Sequence, residues 1–524
     1  TNDNARVNRF GEITNREIEY SLQANGNYTV EVADTVFLNA VDNNKLTPTK
    51  YQVTNTGIEY SFSVRVLVGE ENYTGIYISD QADLTSKTDI ISFTIFQAGD
   101  GSKLLPYKVS TSTMFNSIRY YPNSHFVLTD DISFRDDNGN IATWEMIDTF
   151  TGSIDGKDHL VAYLQPQEKA ITQGSDINIY KALFRVNTGS ISNLNLSINN
   201  SYTGSVENST VRVAGLTVIN NGTLNNVHIT AINGGSINVQ VRGTLYNTRV
   251  AGLAVENTGT IDNCSVELNI TSLDNNSAST TKKSSYVAGI SSINSGTITN
   301  SYYNGTIRGN FVGGIANESA GTISNSYSLG VAEVTDAGIT SGVSGKGIQY
   351  AGIVGSMYGT SVVDSCYSRM VVKVDVITNN GLTLPLGGIV AQFITRTGVE
   401  NHITVKNCYV EFSAINIGNT ANLTTSAYVI APANTRVTFK DNYYVVVTVN
   451  GAKNIVPSNS SSVATSCVTI DELASKMLTL VDSAGHNIYM RATVQDGEQE
   501  NSTKISKYPL LVSNMEKDIE YITQ

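Results

Sequence analysis

Few side chains in this 524-residue chain are of a type and spacing that could make or break a covalent bond. Hydrolysis of a glycosidic link needs two carboxyl groups facing each other, about 5–9.5 Å apart. The acids between residues 182 and 442, among them Glu256, Asp262, Glu267, Glu318, Asp364 and Glu411, share no common register along the sequence, and no Lys or Arg stands beside acidic calcium ligands as a lyase would require. Asp136-Asp137-Asn138-Gly139 followed by Glu145 partly matches a calcium loop. Its first ligand position falls on Phe134, which cannot coordinate, so the segment reads as an Asp-Asn-Gly turn. His125 and His159 sit beside apolar residues and read as polar edge groups, with no Ser-His-Asp order and no Gly-x-Ser-x-Gly elbow to recruit them. Cys264, Cys366, Cys408 and Cys467 lie far apart, without a Cys-x-x-Cys pair or a His at ligand spacing, which argues against zinc. The expectation is a chain with no catalytic residue, no metal and no cofactor.

Composition points to many short strands. Charged residues make up 15% and apolar ones 40%, with 43 Gly against 8 Pro and 1 Trp, a balance suited to strands joined by tight polar turns. A formal net charge of −12 leaves no basic face for phosphate backbones, so nucleic acid is not an expected partner. No apolar run approaches the roughly 20 residues that span a bilayer, so membrane insertion is not expected. The chain opens on polar Thr1-Asn2-Asp3-Asn4, which we read as a mature, processed product. Its Asn, Ser, Thr and Tyr richness suits an exported protein, and Asn27-Tyr28-Thr29 and Asn304-Gly305-Thr306 are glycan acceptors if the source is eukaryotic.

From about residue 182 one phrase recurs: a small residue, Gly and an aliphatic residue, then Gly-Thr-aliphatic-x-Asn. Its copies are Ala214-Gly215-Leu216 with Gly222-Thr223-Leu224-Asn225-Asn226, Ala251-Gly252-Leu253 with Gly259-Thr260-Ile261-Asp262-Asn263, Ala288-Gly289-Ile290 with Gly296-Thr297-Ile298-Thr299-Asn300, and Gly313-Gly314-Ile315 with Gly321-Thr322-Ile323-Ser324-Asn325. Looser copies begin at Ala351-Gly352-Ile353 and Gly387-Gly388-Ile389. The interval from Gly289 to Gly314 is the length of one three-sided coil, and the others add roughly a dozen residues, which predicts loops bulging from one edge. Each half-phrase is too short for a helix and alternates as a strand does. Strands recurring once per coil stack in parallel and in register.

Asn226, Asn263, Asn300, Asn325 and Asn407 recur at one corner of the phrase. They fit a left-handed turn and predict a ladder of buried amides, each bonded to its copy in the next coil. Tyr302, Tyr327, Tyr367, Tyr409 and Tyr444 recur after that Asn and predict a stacked column, which could also serve sugars as a flat platform. Cys264 and Cys408 take the place of Ser301 and Ser326 in other copies, which suggests small-residue core packing.

The phrase resembles the GLUG-motif β-helical repeats of large bacterial surface proteins and adhesins. Gly352-Ile353-Val354-Gly355 stands closest to the four-residue motif itself. Pro106-Tyr107-Lys108-Val109, His125-Phe126-Val127-Leu128, Phe150-Thr151-Gly152-Ser153-Ile154-Asp155-Gly156 and Leu183-Phe184 look like the leading cap and first coils of that family, and Lys507-Tyr508-Pro509-Leu510 like its close. The resemblance spans residues 106 to about 512 and implies architecture and a surface location.

The expected fold is therefore all-β: a right-handed parallel β-helix preceded by an N-terminal β-sandwich. Residues 1–100 form the sandwich, 106–181 the leading cap and first coils, 182–445 the repeats and 446–524 a C-terminal cap that closes the far end. Thr111 to Tyr121 and the stretch from Thr469 to Leu478, with its capping-box start, are the expected helices. The expected function is that of a non-enzymatic extracellular structural or adhesive protein at the cell surface. Glu17-Ile18-Glu19-Tyr20-Ser21-Leu22 alternates, so residues 1–22 either exchange as a strand with another copy of the chain or complete their own sandwich, and surface glycans or host or matrix proteins are the other expected partners. The rival expectation is a carbohydrate-binding or polysaccharide-degrading β-helix.

Overall fold

A computed structural model describes residues 101–523 except the segments 205–208, 232–234, 242–247, 275–284, 338, 340–346, 377–382, 419–423, 451–458 and 496–502; before residue 101 it describes Phe96, Gly99 and the backbone of strands between Glu17 and Thr94. The chain divides into two compact units, residues 1–164 with 189–196, and residues 165–188 with 197–524. Two short α-helices accompany the strands of the described residues, and no helix among them is long and apolar enough to cross a membrane.

Turn chemistry folds the second unit into coils. In one coil, Arg249–Ala251 passes through Gly252 and Leu253 to Ala254–Asn257, Thr258 and Gly259 lead into Thr260–Asp262, and Asn263 turns the chain again before Ser265–Glu267. Each strand pairs in parallel with its equivalent in the next coil: Arg249 opposite Tyr286, Ala254 opposite Ser291, Thr260 opposite Thr297, Ser265 opposite Tyr302. Three stacks result, running from Asp176–Lys181 to Thr424–Tyr428, from Phe184–Asn187 to Val390–Phe393, and from Thr223–Thr230 to Tyr443–Asn450. Such long in-register parallel sheets are consistent with a β-solenoid. Most length insertions fall between the third stack and the first, but one, residues 394–402, separates Val390–Phe393 of the second stack from Ile403–Lys406 of the third, so the loops do not all leave from one edge.

Because successive side chains on a strand point to opposite faces, Ile261, Ile298, Ile323, Val363 and Val405 line up inside, fully buried, while Thr260, Thr297 and Thr322 line up outside. Burying each such aliphatic side chain contributes about 1.5–3 kcal/mol. The leading glycines let coils approach closely: a Cβ at Gly289 would lie 2.1 Å from the Gly314 carbonyl oxygen and 2.5 Å from Tyr303 Cγ.

All five predicted corner asparagines are left-handed, with φ of 53° at Asn226, 52° at Asn263, 48° at Asn300, 47° at Asn325 and 55° at Asn407. The predicted ladder of buried amides is not theirs. Asn263 Nδ2 donates to Asn226 Oδ1 at 3.1 Å, but Asn263 is exposed; Asn300 donates instead to Asp262 and Asn407 to Asp364, each at 2.9 Å. Of the five only Asn407 is buried, while Asn226, Asn300 and Asn325 are half-buried and Asn263 is exposed. The buried ladder runs one corner earlier. Asn187 donates to Asn220 at 2.8 Å, Asn220 to Asn257 at 2.8 Å, Asn257 to Asn294 at 2.9 Å and Asn294 to Ser319 Oγ at 3.2 Å, and no member is more than 1% exposed.

The residue after each corner is more than small. Cys264 N–H donates to Ser301 Oγ and Ser301 N–H to Ser326 Oγ, both at 3.1 Å, while each serine hydroxyl donates at 2.7 Å to the carbonyl two residues before it. Serine here collects an amide that the turn would strand. Cys264, buried among these bonds, has its thiol pushed up by burial to about 12 and stays protonated.

In the first unit, Tyr107–Val109, His125–Leu128 and Ser153–Asp155 stack in parallel, with Ser153 opposite both His125 and Ser190. The helix Ser112–Ser117 begins where Thr111 Oγ1 accepts from Met114 N–H, and a 3₁₀ turn, Ile118–Tyr120, continues it to the predicted end. Before residue 100, Glu17–Ala24 and Leu46–Val53 flank Ile58–Val66 in an antiparallel sheet. The segment predicted to exchange thus pairs within its own chain from Glu17 onward, and residues 1–16 lie outside the described residues.

Replacing Asn257 with Ala leaves Asn220 without its acceptor and Asn294 without its donor. Chemical denaturation should register a loss of about 1–3 kcal/mol. Asn263→Gly, which keeps the left-handed corner, should stay within about 0.5 kcal/mol; equal losses would place the ladder at the corners.

Candidate functional site

The tyrosines that follow the corner form the column expected of them, with one correction. Tyr302, Tyr327, Tyr367 and Tyr409 stack face to face, with centroids 4.8, 4.8 and 4.6 Å apart and planes within 8° of parallel. Tyr443, not Tyr444, is opposite Tyr409, because the left-handed corner of that coil is Asp441 (φ 54°) rather than Asn442. Tyr444 belongs to the neighbouring column of Tyr303, Ser328, Ser368 and Val410, on the opposite face of the strand. Stacking also removes the sugar platform. Each inner ring spends both faces on its neighbours and presents only its edge, while Lys517 Nζ lies 5.9 Å from the Tyr302 centroid.

The C-terminal segment covers this column instead of only closing the end, as its cap reading implied. The helix Ile470–Met477 starts at Thr469, whose hydroxyl accepts from Glu472 N–H while the Glu472 carboxylate accepts from Val468 N–H. Leu473, Met477, Leu480, Ile488, Tyr489 and Leu511 pack with the four stacked tyrosines in one buried cluster. Polar bonds continue the contact along the coils: Tyr489 to the Asn407 carbonyl at 2.7 Å, Tyr409 to the Pro509 carbonyl at 2.8 Å, Tyr367 to Glu516 at 2.6 Å, and Asn514 to the Asn325 carbonyl at 3.0 Å. Arg369, nearly buried, pairs with Glu516 at 2.5 Å and lies 3.8 Å over the Tyr508 ring.

At its first-coil end the column passes into a polar chain that sequence reading did not reveal. His228 and Ser265 precede Tyr302 in the same column. Asn226 Oδ1 is 2.8 Å from His228 Nε2, His228 Nδ1 is 2.7 Å from Ser265 Oγ, the Tyr302 hydroxyl donates to Glu267, and Lys517 pairs with Glu267 at 3.2 Å. Ser265 is fully buried, so this Ser-His-Asn order offers its hydroxyl to no substrate. Its column mates are aromatic, which masked the alignment. A cleft of about 270 Å³ opens beside it, lined by Glu267, Tyr302, Asn304, Arg369, Glu411 and Tyr508 among others. A second, of about 410 Å³, lies along the segment's other side, between Asp364 and Lys406 on the coils and Asp482 and His486 on the segment.

The acids do share registers, contrary to the sequence reading, because position is counted from the corners and not along the chain. Glu256 and Glu318 occupy one column with Ile293 between them, Asp262 and Asp364 a second, and Glu267 and Glu411 a third. Within each pair the two acids are separated by at least one intervening coil. Glu318, 8% exposed, receives Arg249 on one oxygen at 2.6 Å and Arg396 on the other at 2.5 Å, and Arg249 lies 4.2 Å over Tyr286. Both oxygens of this carboxylate are thus engaged by guanidiniums. Asp364 pairs with Lys406 at 3.3 Å.

In the first unit, His125 Nδ1 is 2.7 Å from Ser153 Oγ and His159 Nδ1 3.0 Å from Asp131. Asp136 accepts from Asn140 at 2.7 and 2.9 Å and Gly139 has φ 87°, the turn geometry that the sequence favoured. No group of three or more His, Cys, Asp or Glu residues poised to hold a metal ion occurs among the described residues. Compared with known proteins, the chain matches no family model and no curated protein.

Burial pushes the Tyr327, Tyr367 and Tyr409 hydroxyls well above their ordinary value of about 10, and burial together with Glu267 raises Tyr302. The fold therefore favours the neutral phenol, so this stabilisation is complete below the unfolded value and is lost as pH rises through the folded one. In a spectrophotometric titration these four should ionise only together with loss of the β circular dichroism signal, after the exposed tyrosines. All 27 tyrosines titrating as one population with the fold intact would contradict the stack.

Proposed function

We propose that this chain is an extracellular structural or adhesive protein of the cell surface, without catalytic activity, built as a right-handed parallel β-helix behind an N-terminal β-sandwich. The right-handed sense follows from the strong preference of parallel strand crossovers for that hand. One observation carries the functional reading: among the described residues, many of the side chains with chemical capability are spent on bonds between coils. Glu318 ties two arginines, the asparagines ladder, and the tyrosines stack under a covering segment. A shaft of this kind transmits position and load. The GLUG-like phrase adds the surface location, with surface glycans or host or matrix proteins as adhesion targets, and the acidic balance sets nucleic acid aside. Self-assembly uses the edge strand Glu17–Ala24, which trades its own partner Ile58–Val66 for that of a neighbour. Head-to-tail exchange does not close, so it builds filaments.

The rival carbohydrate reading draws on the cleft beside Tyr302, where Glu267, Glu411, Arg369 and Tyr508 meet. Electron microscopy of the full chain, run beside an assay for reducing ends released from plant, fungal and bacterial polysaccharides, separates the two. Filaments or sheets that vanish on deletion of residues 1–22, with no sugar release above the blank, are the expected result. Release of reducing ends, abolished by Glu267→Gln or Glu411→Gln, would overturn it.

A further inference from the structure

The segment that follows Val468 is held to the coils differently from everything else in the second unit. Its main chain pairs with itself: Tyr489–Met490 with Leu510–Leu511, and Thr503–Ser506 with Thr493–Gln495 on one side and Tyr521–Thr523 on the other. Among the described residues no main-chain to main-chain bond joins it to a coil beyond Cys467, whose N–H reaches the Tyr444 carbonyl. What seats it is side chains alone: the apolar cluster over the tyrosine column and a few polar ties. It can therefore leave without breaking any coil-to-coil ladder. Clefts of about 270 and 410 Å³ run along its two sides.

Its direction matters as much as its attachment. The segment starts at the last coil, where Thr465 and Ser466 pair with Tyr443 and Tyr444, and runs back until Lys517 meets Glu267. Its root is therefore at the coil end, next to an unfinished surface. Strand Tyr443–Asn450 is paired on its outer edge only at its first two residues, leaving the edge from Val445 open among the described residues. Val446, Val447 and Val468 stand 42%, 52% and 87% exposed there. An open, apolar strand edge invites another chain.

We propose that two copies of this chain meet with their last coils together and exchange these C-terminal segments, each seated on the tyrosine column of the other. The occupant is fixed by the structure, because the exchanged segment makes the contacts it already makes within one chain. Apposed last coils bring each root beside the partner's column and cover the open edge and the exposed valines. The arrangement is two-fold and closes on itself, so it yields a dimer and not a filament. It deepens the self-assembly reading by adding a second junction, independent of residues 1–22, that turns two head-to-tail filaments back to back.

The Lys517–Glu267 pair supplies the test, because a carbodiimide joins an amine to a carboxylate in direct contact. Unlabelled and ¹⁵N-labelled full-length chains, mixed in denaturant and refolded together at high concentration, are crosslinked and digested. Complete exchange makes about half of the Lys517–Glu267 crosslinked peptides join a light chain to a heavy one, in particles of dimer mass, and Lys517→Ala removes the crosslink. Only same-isotope crosslinks, in monomers or in dimers, would overturn the proposal. Repeating the mixture with chains lacking residues 1–22 keeps the two junctions apart: mixed crosslinks that survive there uphold segment exchange whatever becomes of the filaments, and mixed crosslinks that disappear there sink it.

Discussion

Neighbouring coils stand one strand spacing apart, about 4.8 Å, and the second unit depends on keeping that spacing in register. A buried amide is tolerable only when bonded, since leaving one unpaired costs about 1–3 kcal/mol. The Asn220–Asn257–Asn294 ladder meets this condition only because each coil places its asparagine directly over the last. The same holds for Ser301 and Ser326, which take the amide of the coil before, and for the tyrosines, whose separation of 4.6–4.8 Å is the coil spacing itself. A slip of one residue would turn every inward isoleucine outward.

Much of this was legible in the sequence because the corners announce themselves. Gly before an aliphatic residue and Asn in a left-handed turn are demands of backbone geometry, so they recur wherever the coil does. What the sequence obscured was which polar group is buried. Asn257-Thr258-Gly259 and Asn294-Ser295-Gly296 repeat as plainly as the corner asparagines, but an Asn near a Gly also reads as an exposed turn, and only the packing distinguishes them. Tyr444 was misplaced for a related reason: the corner of its coil is an aspartate, and taking Asn442 as the corner shifts the register by one. The acids shared columns unseen because insertions between coils destroy linear spacing while leaving the distance from each corner unchanged. The path of the C-terminal segment was illegible, since it obeys no repeat and is fixed by contacts such as Arg369 with Glu516 that lie far apart in sequence.

These features bear on function through what they leave over. Stacked tyrosines present edges and not faces, Glu318 is held from both sides, and Ser265 is sealed beside its histidine. Groups that on an open surface would suggest chemistry are here the means of holding coils together. In the second unit the last coil keeps an unpaired strand edge among the described residues, and the proposed contact between C-terminal segments falls there.

The account stands or falls on register, and a pair of deletions tests it directly. Removing residues 289–313 joins Ala288 to Gly314, taking out one whole coil and leaving every column in register; removing 289–312 joins Ala288 to Gly313 and slips all later coils by one. Thermal unfolding followed by circular dichroism should show the first variant retaining the β spectrum and a cooperative transition, and the second losing both. Two deletions that behave alike would contradict the claim that coil-on-coil register holds the structure together.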